Sequence, residues 1–402
     1  LMATVRIPPT LRASTGGERE VEAAGDTVRD LLDDLADRFP TLRGQVFEDG
    51  EIAPFVNVYV EGEDVRTLDG LETEVADGST VILLPAMAGG QQVELAHSLL
   101  DLVGNTPLVQ LRKLSPAGRT IYAKLEGQNP TGSIKDRVAK AMIEAAEASG
   151  ELQPGRELLE PTSGNTGISL AFIARIKGYE LTCVIPENAT EERKRLLRLY
   201  GAEIVESPAA EGSNGAVRVA LELAEREPRY YMPFQYANEA NPRAHYEGTG
   251  AEIADTLHRV DVLVAGLGTG GTLMGTGDRL RETFPEVVVA AAEPLPGDPV
   301  MGLRSLEDGY VPPILDVARL DRKLLVSNAE SAAGVRALLD REGIFAGVSA
   351  GAVVHVARRL AKEAEEGSVV VCILADAGWK YLSADFWDAP DPEDSMESGH
   401  WW

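Results

Sequence analysis

Lys135 lies in the first turn of a predicted helix, in the segment NPTGSIKDRVAKAMIEAAEASG. An ammonium group is unusual at this end of a helix because the helix dipole favours anions there. Two interpretations fit the position. The side chain is a solvated surface lysine, or it is a Schiff-base lysine that binds the carbonyl carbon of a cofactor.

Two turns rich in glycine, serine and threonine follow predicted strands and precede predicted helices. The first is LLEPTSGNTG, which includes residues 162–167, and the second is VAGLGTGGT, which ends with residues 268–272. Small residues let the backbone approach a ligand, and N–H groups at a helix start bind anions. We expect the first turn to hold a carboxylate, unless it is an ordinary strand-to-helix turn, and the second to be an anion cradle.

The second turn also fits the GxGxxG pattern of dinucleotide-binding folds at Gly266, Gly268 and Gly271. Such folds need an acidic residue at the end of the next strand, about twenty residues further on. Only Glu293, in AAAEP, comes near that requirement. The pattern is weak by itself, so the dinucleotide interpretation is a rival at this point.

Composition restricts the possible functions. The chain has 402 residues, which predicts two or three domains, and a formal net charge of −26, which argues against nucleic acids and anionic membranes as partners. Cys183 and Cys372 lie in apolar strand-like runs and are predicted to be buried thiols, and the five scattered histidines indicate no metal site. The start, LMATVRIPP, does not resemble a signal peptide, and no apolar run reaches the ~18 residues of a membrane span. We expect a cytoplasmic protein.

The first ninety residues read as a small domain with the order β-β-α-β-β. The segment VRDLLDDLADRF is a predicted helix, with Asp26 or Thr27 as its cap and with Val28, Leu31, Leu32 and Leu35 at helical spacing. This part has no lysine, seven arginines and eighteen acidic residues, which gives a net charge of −11. It ends in PAMAGG, a strand that runs into a di-glycine.

Residues 3–90 resemble the ubiquitin-like β-grasp sulfur carriers of the ThiS/MoaD type. The resemblance rests on FVNVYVEGEDV, on DGSTVILLPAMAGG and on the length. It implies that the carboxylate of Gly90 is adenylated and converted to a thiocarboxylate, with an E1-like adenylating and sulfur-transfer enzyme as partner. Glycine at this end lets the tail enter narrow partner sites. A di-glycine without such a domain is usually a linker.

The remaining residues alternate strand and helix, which indicates an α/β fold. LVGNTPLVQL, NPTGSIKDR, EPTSGNTG, GLGTGGT and GIFAGVSAGA occur here in the order of the cysteine synthase family, from about residue 102 to 382. That family has fold type II of the pyridoxal-phosphate enzymes, which is tryptophan synthase β-like. The resemblance implies a domain over 91–402 with two lobes, the smaller and mobile one at about 127–238, and a homodimer.

The resemblance also implies residue roles. Lys135 holds pyridoxal 5'-phosphate and moves protons, Asn165 bonds the ring hydroxyl, and Ser349 faces the pyridine nitrogen. The residues implied to bind the cofactor phosphate are Gly268, Thr269, Gly270, Gly271 and Thr272. Those implied to bind the substrate carboxylate are Thr162, Ser163, Gly164, Thr166 and Gln235. No metal is implied.

The implied reaction is a β-replacement on an O-activated serine. The leaving group departs to give an aminoacrylate, and a sulfur nucleophile adds to form cysteine. PTGSIKDR, KGYELTCVIPEN, ADAGWKYLS and the tail at about 386–402, ending in SGHWW, resemble the branch that takes sulfur from a carrier thiocarboxylate. In that branch the tail folds over the active site, whereas its composition alone favours disorder.

The leaving group stays open at this point. Phosphoserine-using relatives place an arginine directly after the Glu-Pro of AAEP, and here that position is Leu295. Arg304 is near in sequence and is a possible substitute. The donor is therefore O-phosphoserine or O-acetylserine.

Gly90 is joined to Gln91 by a peptide bond in this fusion. Either a peptidase cleaves after Gly90, or the fused carrier is never charged. In the second case the enzyme is a sulfide-using O-acetylserine sulfhydrylase with a vestigial carrier domain. Cystathionine β-synthase is a weaker rival, and a precursor that delivers a ubiquitin-like modifier is an alternative of another class.

Overall fold

The computed structural model describes residues 1–8, 11–48, 50–53, 56–85, 96–162 and 164–387. The chain divides into two compact units, Leu1–Leu95 and Ala96–Trp402. The predicted boundary after Gly90 lies outside the described residues and stays a prediction. No helix of the described part is long and apolar enough to cross a membrane.

The first unit is a five-stranded sheet with a helix packed against it. The strands and helices are β1 (Met2–Arg6), β2 (Glu20–Ala24), α1 (Val28–Arg38), α2 (Pro40–Val46), β3 (Phe47–Glu48), β4 (Glu51–Ile52), β5 (Val56–Val60), β6 (Glu63–Asp64) and β7 (Thr80–Pro85). The sheet order is β2-β1-β7-β5-β6, and only the β1–β7 pair among these is parallel. The predicted β-β-α-β-β order is present, with α2, the short β3–β4 hairpin and the two-residue strand β6 in addition.

Helix α1 closes the core of the first unit. Thr27 is its cap, since its side chain accepts a hydrogen bond from the backbone N of Asp30, whose carboxylate bonds back to the backbone N of Thr27. This reciprocal capping box satisfies two N–H groups that the helix leaves free. The apolar side chains predicted at helical spacing are buried against the sheet: Val28, Leu31, Leu32 and Leu35.

The second unit contains two mainly parallel sheets with helices around them. Its strands are β8 (Leu108–Gln110), β9 (Thr120–Leu125), β10 (Glu157–Pro161), β11 (Leu181–Pro186), β12 (Glu203–Ser207), β13 (Tyr230–Tyr231), β14 (Val262–Gly266), β15 (Val288–Pro294), β16 (Arg322–Val326) and β17 (Val369–Leu374). Its helices are α3 (Lys135–Ser149), α4 (Asn165–Lys177), α5 (Glu191–Leu199), α6 (Gly212–Arg226), α7 (Ala240–Ala244), a π-helical segment (His245–Gly250), α8 (Ala251–Thr256), α9 (Gly271–Thr283), α10 (Asn328–Glu342) and α11 (Val348–Glu363).

The two sheets divide the functional motifs between them. The four-stranded sheet, β12-β11-β10-β13, leads from β10 into the SGNTG turn and α4, whereas the six-stranded sheet, β16-β15-β14-β17-β9-β8, leads from β14 into the glycine loop and α9. Strands buried on both faces read as continuous apolar runs, as in LVAG and VVVCIL. Ligands of such sheets bind at the carboxyl ends of the strands, where both turns lie.

A buried ionic network fixes the start of α3. The guanidinium of Arg137 donates to both carboxylate oxygens of Glu126, at 2.7 and 2.9 Å, and to both of Glu252, at 2.6 and 2.8 Å. Lys124 on β9 donates to Glu252 at 2.6 Å. Burial would raise the pKa of Glu252, yet the hydrogen bonds and charges of Arg137 and Lys124 lower it to about 2. The network joins β9, α3 and α8, and its member on α3, Arg137, lies two residues after Lys135.

We expect Arg137→Met to destabilise the second unit by about 3–5 kcal/mol, because it leaves the buried carboxylate of Glu126 without its cation and removes one of the two cations that bond the partly buried Glu252. Urea unfolding followed by tryptophan fluorescence measures this unit, since all four tryptophans lie after residue 378. Arg243→Met is the matched control, because Arg243 pairs with Glu247 on the surface, and we expect a change below about 0.5 kcal/mol. Equal changes in the two variants would show that the network does not stabilise the unit.

Candidate active site

One cavity brings together six of the residues that the sequence singled out. It has a volume of about 400 Å³, and the predicted residues that line it are Lys135, Asn165, Thr166, Gln235, Gly268 and Thr269. A smaller recess of about 40 Å³ adjoins it, lined by Lys135, Gly268, Thr269, Gly270, Thr272 and Ser349. The lysine, the glycine loop and the GVSAGA serine therefore surround one continuous space.

Lys135 stands between the cavity and the recess. It is the first residue of α3, and its backbone N donates to the Oγ of Ser133 at 3.2 Å. Burial lowers the pKa of the Lys135 ammonium, and the carboxylate of Asp376 opposes this shift. A lowered pKa increases the share of neutral amine, the form that attacks a carbonyl.

The SGNTG turn presents backbone groups at the start of α4. Gly164 has a φ of 151°, and a side chain there would collide with Arg193. The hydroxyl of Thr162 accepts hydrogen bonds from the backbone N of Gly164 and of Gly167, at 3.0 and 3.1 Å. The structure thus places Thr162 beneath the turn, where it shapes the backbone. Ser163 lies outside the described residues.

Gln235 is held from three sides. Its Oε1 accepts from the hydroxyl of Thr166 at 2.6 Å, and its backbone O accepts from Asn241. The carboxylate of Glu160 accepts from the backbone N of Phe234 and of Gln235, at 2.7 and 2.9 Å. Burial raises the pKa of Glu160 to about 8, although these two bonds lower it. The sequence analysis did not single out Glu160, even though it directly precedes the PTSGNTG motif.

The glycine loop is shaped by close packing against Asn241. A Cβ at Gly271 would lie 2.0 Å from the Oδ1 of Asn241, so only glycine fits. The Nδ2 of Asn241 donates to the Oγ1 of Thr269 at 3.0 Å and to the backbone O of Gln235 at 2.9 Å. Asn241 therefore connects the loop to the Gln235 segment, a role that no local sequence pattern indicates.

His245 supports the far end of the same loop. Its Nε2 lies 3.3 Å from the hydroxyl of Thr272, and its Nδ1 lies 3.1 Å from that of Thr249. Burial lowers the pKa of His245 well below its usual value, and the charges of Lys135 and Arg137 lower it further. The ring is neutral at physiological pH and acts as a hydrogen-bonding support.

Comparison with known proteins identifies the family. Residues 99–376 match the family described as pyridoxal-phosphate dependent enzyme, and residues 5–90 match the ThiS family. The chain belongs to the pyridoxal-phosphate dependent enzyme family. The predicted fusion of a ThiS-type ubiquitin-like domain with such an enzyme is confirmed, and so are the fold type and the cofactor.

Two groups of relatives are similar to the second unit of this pyridoxal-phosphate dependent enzyme. The probable cysteine synthase of Bacillus subtilis (strain 168) is 42% identical over 308 residues, which is 73% of this chain and 99% of that protein. The crystal structure of O-ureido-L-serine synthase is 39% identical with a TM-score of 0.70, covering 74% and 97% of the two chains. That of O-acetyl serine sulfhydrylase isoform 3 from Entamoeba histolytica is 33% identical with a TM-score of 0.69, covering 75% and 94%.

The residues around the cavity fit pyridoxal phosphate. Lys135 offers an amine for its aldehyde, and Ser349 offers a hydroxyl in the recess. The loop that ends at Thr272 precedes α9, so its N–H groups and the helix dipole suit a phosphate. A Cβ at Gly268 would meet only the backbone O of Gly302, at 3.6 Å, among its described neighbours. The dinucleotide interpretation of GxGxxG is therefore replaced by a pyridoxal-phosphate site.

Arg304, which the sequence analysis offered as a possible substitute for the arginine missing at position 295, is a candidate to contact the leaving group. Arg304 lines the cavity, and its guanidinium lies 5.3 and 5.2 Å from the ring centroids of Tyr236 and Tyr310. Its NH1 donates to Asn214 at 3.1 Å. Leu295 is 36% exposed and is not among the described residues that line the cavity. Among the described residues, the arginines that line the cavity are Arg193 and Arg304, whereas position 295 does not line it.

Several predicted features lie elsewhere. Gly90, Gln91 and the tail from residue 388 lie outside the described residues. Cys183 and Cys372 are buried and free. Within the described ranges, no cluster of three or more histidine, cysteine, aspartate or glutamate side chains could hold a metal ion.

We expect Gly271→Ala to weaken pyridoxal-phosphate binding about tenfold, because the added methyl group displaces Asn241 and with it Thr269 and Gln235. Equilibrium dialysis of the purified chain against the cofactor measures the affinity. Gly44→Ala is the control, since Gly44 lies in α2 with open space around it. Unchanged affinity in Gly271→Ala would show that the packing of Asn241 on the loop does not shape the site.

Proposed function

We propose that the chain synthesises L-cysteine by replacing the leaving group of an O-activated serine with sulfur. One observation carries this proposal: the cavity that holds Lys135, the glycine loop and the SGNTG turn belongs to a chain that also carries a ThiS-type domain. The similarity to cysteine synthases of the same family supports it. The enzyme is then a transferase that carries out a β-replacement.

Pyridoxal phosphate, when bound, supplies an electron sink for negative charge that develops at the substrate α-carbon. Lys135 holds the cofactor through its ε-amino group and later takes the α-proton on Nζ. Burial suits both tasks, because it lowers the pKa of this amine and so increases the share of its neutral form. Ser349, which lines the recess, would offer the pyridine nitrogen a neutral hydroxyl partner, and such a partner would leave that nitrogen unprotonated and favour elimination.

The substrate carboxylate binds at the start of α4 in this proposal. Backbone N–H groups of the SGNTG turn, the hydroxyl of Thr166 and the amide of Gln235 converge on that side of the cavity. The helix dipole favours a negative group there. Glu160 and Thr162 keep the turn and the Gln235 segment in place, and Ser163 is proposed to contact the same carboxylate.

We propose that the two sheets form two lobes, and that the smaller lobe, about 127–238, moves during the reaction. The SGNTG turn comes from the four-stranded sheet and the glycine loop from the six-stranded sheet. Movement of the turn over a bound substrate would exclude water from the reacting carbon. The tail from about residue 386 is proposed to close the same opening.

O-phosphoserine is the proposed donor. Arg304 gives the cavity a positive charge that a phosphate leaving group can use, and Tyr236 and Tyr310 hold the guanidinium in place. O-acetylserine is the second candidate, because a solved relative carries the name O-acetyl serine sulfhydrylase.

The proposed sulfur source is the thiocarboxylate of the N-terminal domain, with free sulfide as the alternative. A thiocarboxylate needs a free carboxylate at Gly90, so a peptidase must cleave between Gly90 and Gln91. An E1-like adenylating and sulfur-transfer enzyme would then charge the released domain. Its excess of acidic residues suits a basic partner surface. A homodimer of the second unit is also proposed.

Lys135→Ala tests the proposal. We expect cysteine formation from O-activated serine and sulfide to fall at least about a hundredfold, because both the anchor of the cofactor and the proton acceptor are lost. Borohydride reduction followed by peptide mass spectrometry should find the cofactor on Lys135 in the wild type only. Lys140→Ala, on the same helix, is the control and should keep both properties. Wild-type cysteine formation by Lys135→Ala would refute the function.

Arg304→Met tests the donor. We expect kcat/KM for O-phosphoserine to fall about ten- to a hundredfold, and that for O-acetylserine to fall less, because only the phosphate loses a charge-assisted bond. Leu295→Arg should leave the ratio of the two values unchanged, since Leu295 does not line the cavity. An unchanged ratio in Arg304→Met, or a higher preference for O-phosphoserine in Leu295→Arg, would count against Arg304 as the phosphate partner.

A further inference from the structure

Asn165 is bonded at both ends of its side-chain amide. Its Oδ1 accepts from the ammonium of Lys380 at 2.9 Å, and its Nδ2 donates to the Oδ2 of Asp376 at 2.7 Å. Asn165 also lines the 400 Å³ cavity. One hydrogen of Nδ2 is therefore used by Asp376, and the other is available to a bound group.

The two partners determine which way the amide points. An ammonium has three hydrogens and no acceptor, so Lys380 can bond only the oxygen end of an amide. An ionised carboxylate is an acceptor only, so Asp376 can bond only the nitrogen end. An amide between a donor-only and an acceptor-only group cannot flip without two unfavourable contacts. Lys380 and Asp376 thus fix the Asn165 amide so that its N–H, and not its C=O, is available to a group in the cavity.

This arrangement is buried and is supported from behind. Lys380 and Asp376 are each 2% exposed, and the hydroxyl of Tyr381 donates to the Oδ2 of Asp376 at 2.6 Å. A Cβ at Gly347 would collide with the other oxygen of Asp376. Burial lowers the pKa of Lys380 to about 8, while the charges of Asp376 and Asp136 oppose the shift, so the ammonium is protonated at pH 7.

We propose that Lys380 is a positioning residue, which holds the Asn165 amide so that its free N–H points at the ring hydroxyl oxygen of the bound cofactor. The inference rests on the proposed function, in which this cavity binds pyridoxal phosphate. Lys380 itself does not line the described cavity, so it acts through Asn165. The N–H stabilises the ionised form of the ring hydroxyl, because a hydrogen bond to a charged form favours that form.

Lys380→Met removes the donor and leaves the Oδ1 of Asn165 without its partner. We expect the dissociation constant of pyridoxal phosphate to rise about tenfold, as for the loss of one charge-assisted hydrogen bond. The ring hydroxyl should also hold its proton more strongly, so the pH midpoint of the bound cofactor's absorbance change should rise by about one unit. Spectroscopic titration of the purified full-length chain measures both.

A double-mutant cycle distinguishes positioning from a general structural role. In an Asn165→Ala background, Lys380→Met should change neither the affinity nor the midpoint further, because Lys380 acts only through the missing amide. Lys380→Arg replaces the lysine by another charged, donor-only side chain, so its affinity and pH midpoint should be close to those of the wild type. Lys194→Met is the matched control, since Lys194 is another buried lysine, paired with Glu206 far from Asn165 in sequence, and it should behave as the wild type.

Asp376→Asn provides a second route if Lys380→Met does not fold. It keeps the shape of the side chain but replaces the acceptor-only partner. Because the charge of Asp376 also acts directly on Lys135, the test is the part of its effect that requires Asn165, and that part should be a rise of the midpoint. The inference would be overturned if the effects were equal with and without Asn165. It would also be overturned if both Lys380→Met and Asp376→Asn had the wild-type affinity and midpoint. A wild-type chain that binds no cofactor would instead refute the proposed function.

Discussion

The guanidinium of Arg137, held between the carboxylates of Glu126 and Glu252, is the contact on which the active site depends. It bonds all four carboxylate oxygens at 2.6–2.9 Å in a buried setting. Such a network has only one good geometry, because each charge that loses its partner there is costly. It therefore fixes the first turn of α3 against β9 and α8, and Lys135 begins that turn. The position of the amine that is proposed to bind the cofactor thus follows from side chains that are not among the described residues lining the cavity and the recess.

Buried polar contacts also support other residues around the cavity. Several groups expected to touch a ligand are held by a buried polar side chain behind them. Glu160 holds Gln235, Asn241 holds Thr269, and the neutral ring of His245 supports Thr272. Buried polar groups are stable only when they are bonded, so these contacts define single orientations. The cavity is preorganised by its supports, as electrostatic catalysis requires.

The sequence predicted the parts of the site that lie within continuous sequence motifs. Lys135, the glycine loop and Ser349 do meet in one space. Lys135 and the loop follow β9 and β14, whose carboxyl ends lie at the same edge of one sheet, whereas Ser349 lies at the start of α11, after the preceding helix α10. The supports could not be predicted, since their bonds cross the chain: Lys380 reaches Asn165 over 215 positions. Thr162 shows that even inside a motif the sequence does not always determine the role of a side chain. Its hydroxyl could face a ligand or cap the turn, and only the backbone of the turn decides for the cap.

In the proposed function, the N-terminal domain needs a free carboxyl end at Gly90, because an internal amide offers no acid to adenylate. Intact-mass spectrometry of the protein isolated from its native cell tests this requirement. We expect a fragment that ends at Gly90, part of which carries sulfur in place of one carboxylate oxygen, together with a second fragment that begins at Gln91. Recovery of the uncleaved chain alone, without sulfur on any fragment, would contradict it.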